Sequence, residues 1–282
     1  MTVVVVTDSS ARMDPVDLHR WGIRQIPLHV MVDGRDLRDG IDEVPYDVHE
    51  RAHVTTAGAA PVDLTETYRK ALADSGGDGV VAVHLSAALS STFSSAVVAA
   101  REFGSLVRVV NSRSAAACVG WVAAAAARSA ASGDDLDAVE GAARSAVPRG
   151  HAFIVVHRLD NLRRSGRIGT AASWLGTALS LKPLLHLDID GRLVLSQRIR
   201  TISKAHAAMV DAVAEIVGAR RAAIVVHHVD NHDDADVVGA ALTSRLPQVE
   251  SLTVADMGPV LAVHVGGGAI GVAVQIAEEA CP

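Results

Sequence analysis

Short runs of β-branched residues that close on turn residues and give way to longer helical patterns recur along this chain, and that alternation constrains its fold most. The first run, Val3-Val4-Val5-Val6, ends in Thr7-Asp8-Ser9-Ser10. A strand buried on both faces reads as such a continuous apolar run, and a helix after each strand carries the chain back to begin a parallel neighbour. In the first half, strands are expected at Val3–Val6, Gln25–Val32, Val80–Leu85 and Val107–Asn111. Helices are expected over Pro15–Gly22, Asp63–Asp74, Thr92–Phe103, Ser114–Ala131 and Asp134–Ala146. Gly133 closes one of these helices and Asp134-Asp135 opens the next, where the dipole favours acidic side chains.

Val147-Pro148-Arg149-Gly150 interrupts the pattern and marks a boundary between residues 1–149 and 150–282. Beyond it, strands are expected at Ala152–Val156, Leu184–Asp188, Leu193–Gln197, Ala222–His227 and Val260–His264, with helices at Ser203–Val217 and Ala235–Arg245. Asp190-Gly191 is a two-residue hairpin signal between its flanking strands. The chain is an α/β protein of two domains, since 282 residues, 49% of them hydrophobic, are ample for two cores.

A net charge of −6, with basic residues scattered, lacks the field that nucleic-acid binding needs, and 3% aromatic residues give no stacking platform. Cys118 and Cys281 support neither a disulfide nor a zinc site. The start, Met1 to Asp8, has no signal-peptide pattern, and the Ala-rich stretch Ala115–Ala127 suits a buried helix better than a membrane span, so the cytoplasm is the default expectation.

Several segments place chemistry where α/β proteins bind ligands. Thr7-Asp8-Ser9-Ser10 and Ser86 to Thr92 set hydroxyls and a carboxylate just after strands, although turns and helix caps use the same residues. Val54-Thr55-Thr56-Ala57-Gly58 reads as an entry loop whose Thr56 could face the same side. His264-Val265-Gly266-Gly267-Gly268 joins a near-neutral donor to glycines that admit close backbone approach. Arg163-Arg164 with Arg167, and Arg198, Arg200 and Lys204, form two basic clusters suited to solvent or to a phosphate or acidic partner. His227, His228 and His232 with Asp230, Asp233 and Asp234 lack a standard metal-ligand spacing. No P-loop, dinucleotide fingerprint or nucleophile elbow is present.

In order, these segments resemble the DegV family over about residues 3–280. Thr7-Asp8-Ser9-Ser10 is similar to its TDS(S/T) opening, and Ile26-Pro27-Leu28 with Asp33-Gly34 to its PL-then-DG strand. Leu89-Ser90-Ser91-Thr92 with Ser95-Ala96 is similar to its LSGT…SA stretch. Leu162, Gly166-Arg167-Ile168, Lys182-Pro183 and Asp190-Gly191 follow its L…GRI…KP…DG pattern, and His264, Gly266 and Gly268 its H-x-G-P-G ending. The chain departs from the pattern at Ala57, Ser91 and Gly267.

The resemblance implies a two-domain fold, with a parallel-sheet N-terminal domain, a mixed-sheet C-terminal domain and a long-chain fatty acid, palmitate- or oleate-like, between them. It implies carboxylate binding by Thr56, Ser90, Ser91 and His264, with Asp8, Ser9, Thr92, Gly266 and Gly267 lining the cleft. Arg200 matches the position associated with the acyl phosphate and a fatty acid kinase, and Arg167 lies in the GRI motif. A carrier of this kind needs no cofactor or metal, and its partners are the fatty acid, the kinase and, transiently, a membrane surface. The small residues Thr170–Leu181, with Leu184 and Leu185, are candidates for the tail channel. Two other functions are open: a hydrolase or phosphatase using Asp8 as nucleophile and His264 as acid or base, or a signalling protein with a fixed lipid.

Overall fold

The structure, a computed structural model, describes residues 2–168 and 181–278, and its contacts divide the chain into two compact units. The first comprises residues 1–44 and 55–148, and the second residues 45–54 and 149–282. The segment Pro45–Val54 thus leaves the first unit to pack with the second, an excursion that a single boundary near residue 149 does not contain.

The first unit runs β1 (Val4–Asp8), α1 (Pro15–Arg20), β2 (Arg24–Ile26), β3 (His29–Val32), β4 (Arg35–Arg38), β5 (Thr55–Ala57), α2 (Pro61–Asp74), β6 (Val80–His84), α3 (Thr92–Ala100), β7 (Val107–Asn111), α4 (Ala117–Ala131) and α5 (Leu136–Ala146). Strands β2, β1, β6 and β7 form a four-stranded sheet in that order, parallel throughout. Every residue of β6 is buried, as the apolar run Val80-Val81-Ala82-Val83 requires of a central strand covered on both faces. Helix α4 packs on β1 and α5, and its alanines let backbones approach closely. Asp135 caps α5 by accepting from the Ala138 amide at 2.9 Å.

The expected single strand Gln25–Val32 is two strands in two sheets. Pro27, which has no N–H for a ladder, separates β2 from β3, and β3 sits centrally in a small antiparallel sheet of order β4-β3-β5. Strands β4 and β5 are short and polar, and the hydrophobic pattern gives no sign of them. Helix α3 ends at Ala100 rather than Phe103, and α4 begins at Ala117 rather than Ser114.

The second unit contains β8 (Gly150–Val155), α6 (Asp160–Ser165), β9 (Lys182–Leu187), β10 (Leu193–Ile199), α7 (Ile202–Val217), β11 (Ala222–His228), α8 (His232–Arg245), β12 (Val249–Asp256), α9 (Pro259–Val265) and β13 (Ile270–Ile276). Its six-stranded sheet has the order β10-β9-β8-β13-β11-β12 and is mixed, with β11 and β12 parallel and the other pairs antiparallel. One core, including Met209, Val213, Ile224 and Leu242, lies under α7 and α8, and a second gathers Leu162, Leu185, Met257 and Ala262. The β9–β10 connection spans residues 188–192, longer than a two-residue turn, and is closed by the Asp188 amide donating to the Arg192 carbonyl and the Gly191 amide to Asp188 O. Gly191 takes the positive φ, 76°, that closes this turn.

The expected strand Val260–His264 is instead the helix α9. Pro259 at its first turn and Gly266 after its end bracket a short helix whose Val260, Ala262, Val263 and Val265 are buried. The strands flanking it, β12 and β13, are not among those expected from the sequence; β12 pairs with β11, and β13 with β11 and β8. Among the described residues no helix is long and apolar enough to cross a membrane.

Candidate functional site

In the first unit Asp8, Ser9 and the Ser90–Thr92 cluster follow the carboxyl ends of the parallel strands β1 and β6, and Thr56 lies on β5 of the antiparallel sheet. Asp8 ends β1 and is fully buried, with both oxygens engaged. Its Oδ1 accepts from the Ser10 amide at 3.1 Å and the Ser10 hydroxyl at 2.5 Å. Its Oδ2 accepts from the Leu85 amide at 3.0 Å and lies 3.0 Å from His84 Nδ1. A carboxylate enclosed by four donors has no lone pair turned to a substrate. Ser9, also buried, accepts from the Leu28 amide through Oγ at 3.0 Å.

The hydroxyl cluster after β6 is organised by short-range bonds. Ser90 Oγ accepts from the Thr92 amide at 3.2 Å and lies 2.9 Å from Thr92 Oγ1. The buried Thr92 hydroxyl in turn accepts from the Ala59 amide at 3.2 Å, joining the start of α3 to the segment after β5. Gly58 makes this approach possible, because a Cβ there would lie 2.7 Å from Thr92 Oγ1 and 3.3 Å from Ser91 Oγ. Thr56 is half-buried on β5 opposite Val30, two residues before Gly58, and Ser91 is exposed at the head of α3. Thr56, Ser90, Ser91 and Thr92 are therefore carried by segments that meet within one unit.

In the second unit, His264 lies on α9 and Arg167 just after α6, two helices that pack together. Burial first, and the Arg167 charge second, push the His264 pKa down to about 4, so its imidazole is uncharged at neutral pH. Arg167 is half-buried and donates to the Ser165 carbonyl. Arg200 is exposed between β10 and α7, with Arg198 and Lys204 exposed nearby in sequence.

The three glycines after α9 serve close packing inside the unit. A Cβ at Gly267 would meet His49 Nε2 at 2.9 Å, and one at Gly268, where φ is +77°, would meet the His157 ring at 2.7 Å. Asn161 Nδ2 donates to the carbonyls of His49 and Val263, each at 3.1 Å, and so ties α6 and α9 to the Pro45–Val54 excursion. His49 Nε2 also lies 3.3 Å from Asp230 Oδ2. Asn161, His49 and His84 hold these positions, and sequence reading singled out none of them. The one available signal was His84, a lone polar residue closing an apolar strand.

No group of three His, Cys, Asp or Glu side chains among the described residues is placed to hold a metal ion. Residues 170–180 of the tail-channel candidate lie outside the described residues. Leu184 and Leu185 are both buried, in the two different cores of the second unit.

The family model described as an uncharacterised protein of the DegV family matches residues 2–277. A DegV domain-containing protein of Mycobacterium tuberculosis is 61% identical over 277 residues, covering 98% of each chain. Another from Streptomyces coelicolor is 39% identical over 277 residues, covering 97% of this chain and 98% of the relative. Among solved structures, a DegV family protein from Thermus thermophilus, described by its fatty acid binding, matches with a TM-score of 0.91 at 30% identity, covering 98% of this chain and 100% of that one. DegV of Bacillus subtilis, described as a fatty acid binding protein, matches with a TM-score of 0.87 at 26% identity and the same coverage.

Proposed function

The chain belongs to the DegV family, and from that premise we propose that it is a non-catalytic carrier that binds a long-chain fatty acid and presents the carboxylate to a separate fatty acid kinase. The observation that carries this reading is the agreement over nearly the whole chain with the Thermus thermophilus protein described by its fatty acid binding.

Physical chemistry supports it. A palmitate-like tail of ~15 carbons gains about 0.8 kcal/mol per carbon on burial, on the order of 12 kcal/mol before ligand entropy and head-group desolvation are subtracted. Thr56, Ser90, Ser91 and His264 are assigned to the carboxylate. An uncharged imidazole offers an N–H donor to that group, and the neighbouring Arg167 charge favours an anion. Phosphorylation then belongs to the partner, since the carrier has no nucleotide-binding motif. Exposed Arg200 is assigned to the acyl phosphate or to acidic kinase residues. The carrier works in the cytoplasm, with transient contact at a membrane surface. No observation favours the hydrolase reading, and the enclosed Asp8 argues against it.

Mass spectrometry of an organic extract of the washed protein, followed by exchange against isotope-labelled palmitate, tests the carrier. Stoichiometric fatty acid that exchanges is the expected result. Bound lipid that never exchanges would turn the reading toward a fixed structural ligand, and no lipid with no uptake would end it. Arg200→Ala is expected to keep palmitate affinity while losing acyl-phosphate formation with the kinase. Unchanged product would remove Arg200 from that role.

A further inference from the structure

Within the first unit, Asp8, His84 and Tyr68 are each fully buried and bonded in series. Asp8 Oδ2 lies 3.0 Å from His84 Nδ1, and His84 Nε2 lies 2.8 Å from the Tyr68 hydroxyl. Asp8 and His84 are the last residues of the adjacent parallel strands β1 and β6, and Tyr68 comes from α2. We propose that these three residues form a positioning relay that sets the hydroxyl-bearing segments for a fatty acid carboxylate, a role that rests on the carrier reading above.

The connections support this assignment. Through Oδ1 the Asp8 carboxylate fixes Ser10 and the turn after β1, and through Oδ2 it fixes the Leu85 amide, where the loop to Ser90 and Thr92 begins. Through Tyr68 the relay reaches α2, which begins directly after the Thr56–Ala60 segment. One carboxylate and one imidazole thus join the stretches after β1 and β6, which carry Ser9 and Ser90, to α2, the helix that follows Thr56 in the chain.

Proton positions follow from the same geometry. With His84 Nδ1 donating to Asp8 Oδ2, Nε2 is left to accept from the Tyr68 O–H. Burial first, and the Asp8 charge second, raise the Tyr68 pKa, so the phenol keeps the proton it donates. Apolar residues would fill this volume at lower desolvation cost. A buried network in which every polar atom is engaged instead specifies one arrangement of the chains it joins.

The test compares palmitate affinity in wild type, Tyr68→Phe and Leu64→Val. Leu64 is also fully buried on α2, so its variant controls for loss of core packing alone. Tyr68→Phe is expected to bind palmitate about tenfold more weakly, as for one lost hydrogen bond to a buried acceptor. Leu64→Val is expected to lower the melting temperature without changing affinity. Long-range nitrogen-15 NMR of the wild type should show the His84 ring proton on Nδ1. Equal affinity for Tyr68→Phe and wild type, an equal loss in Leu64→Val, or a proton on Nε2 would overturn the relay while leaving the carrier intact. Wild-type protein that takes up no palmitate would overturn the carrier reading itself, and the head-group role of the relay with it.

Discussion

His264 ties protonation to stability. Its ordinary value in an unfolded chain is about 6.5, and in the native protein it is pushed down to about 4. Between those values the unfolded chain holds a proton that the native state does not, so stability is full above about pH 6.5 and is lost as the pH falls toward 4. The difference sets a ceiling of about 3 kcal/mol for this residue. Burial lowers His151, His157 and His206 as well, all in the second unit, so their contributions add in the same direction. Urea midpoints should therefore fall from pH 7 to pH 5, and His264→Gln should fall less steeply. Parallel slopes for the two proteins would show that His264 does not contribute. None of this was legible in the sequence, which shows a histidine beside glycines but not the burial or the arginine that set its charge.

At the level of elements, the junction between β5 and α3 depends on Gly58. Its would-be Cβ lies 2.7 Å from Thr92 Oγ1, too close for that hydroxyl to stay, and in tight contact at 3.2 Å with the Thr92 amide nitrogen. Gly58→Ala is expected to cost about 1–3 kcal/mol by prying apart the Ala59–Thr92 bond. Chemical denaturation measures that loss, and an unchanged midpoint would mean that the two segments separate without cost. Sequence reading found both segments but not their meeting, because the bonded groups are 33 positions apart in the chain. It misread α9 for a related reason. Val260-Leu261-Ala262-Val263 has strand propensity, yet partners for the buried face come from α6 and the Pro45–Val54 turn, and packing overrides propensity.

On the whole-molecule scale, the second unit is not a contiguous stretch of chain. Pro45–Val54 contributes Val48 and His49, both buried, to a surface that α9 packs on, and Asn161 donates to the His49 carbonyl. A fragment of residues 149–282 lacks that segment and leaves Asn161 short of an acceptor. Its α9 amides are expected to exchange hydrogen faster than in the full chain, with protection recovered when a peptide of residues 45–54 is added. Equal exchange with and without the peptide would show that the excursion adds nothing to the unit.

The sequence by itself determined the α/β class, the parallel sheet of the first unit and the family, and the mixed sheet of the second unit came only with the family resemblance. Those properties follow from local periodicity, turn residues and motif order, all readable along one dimension. It also marked Thr56, Ser90, Ser91, Thr92 and His264 as candidates. Only the tertiary structure decided that Asp8 spends its carboxylate on His84, Ser10 and Leu85, that Thr92 seats against Gly58, and that residues 45–54 belong to the second unit. Each depends on contacts between residues distant in sequence. Desolvation and hydrogen-bond geometry set their strength, and neither exists until the chain has folded.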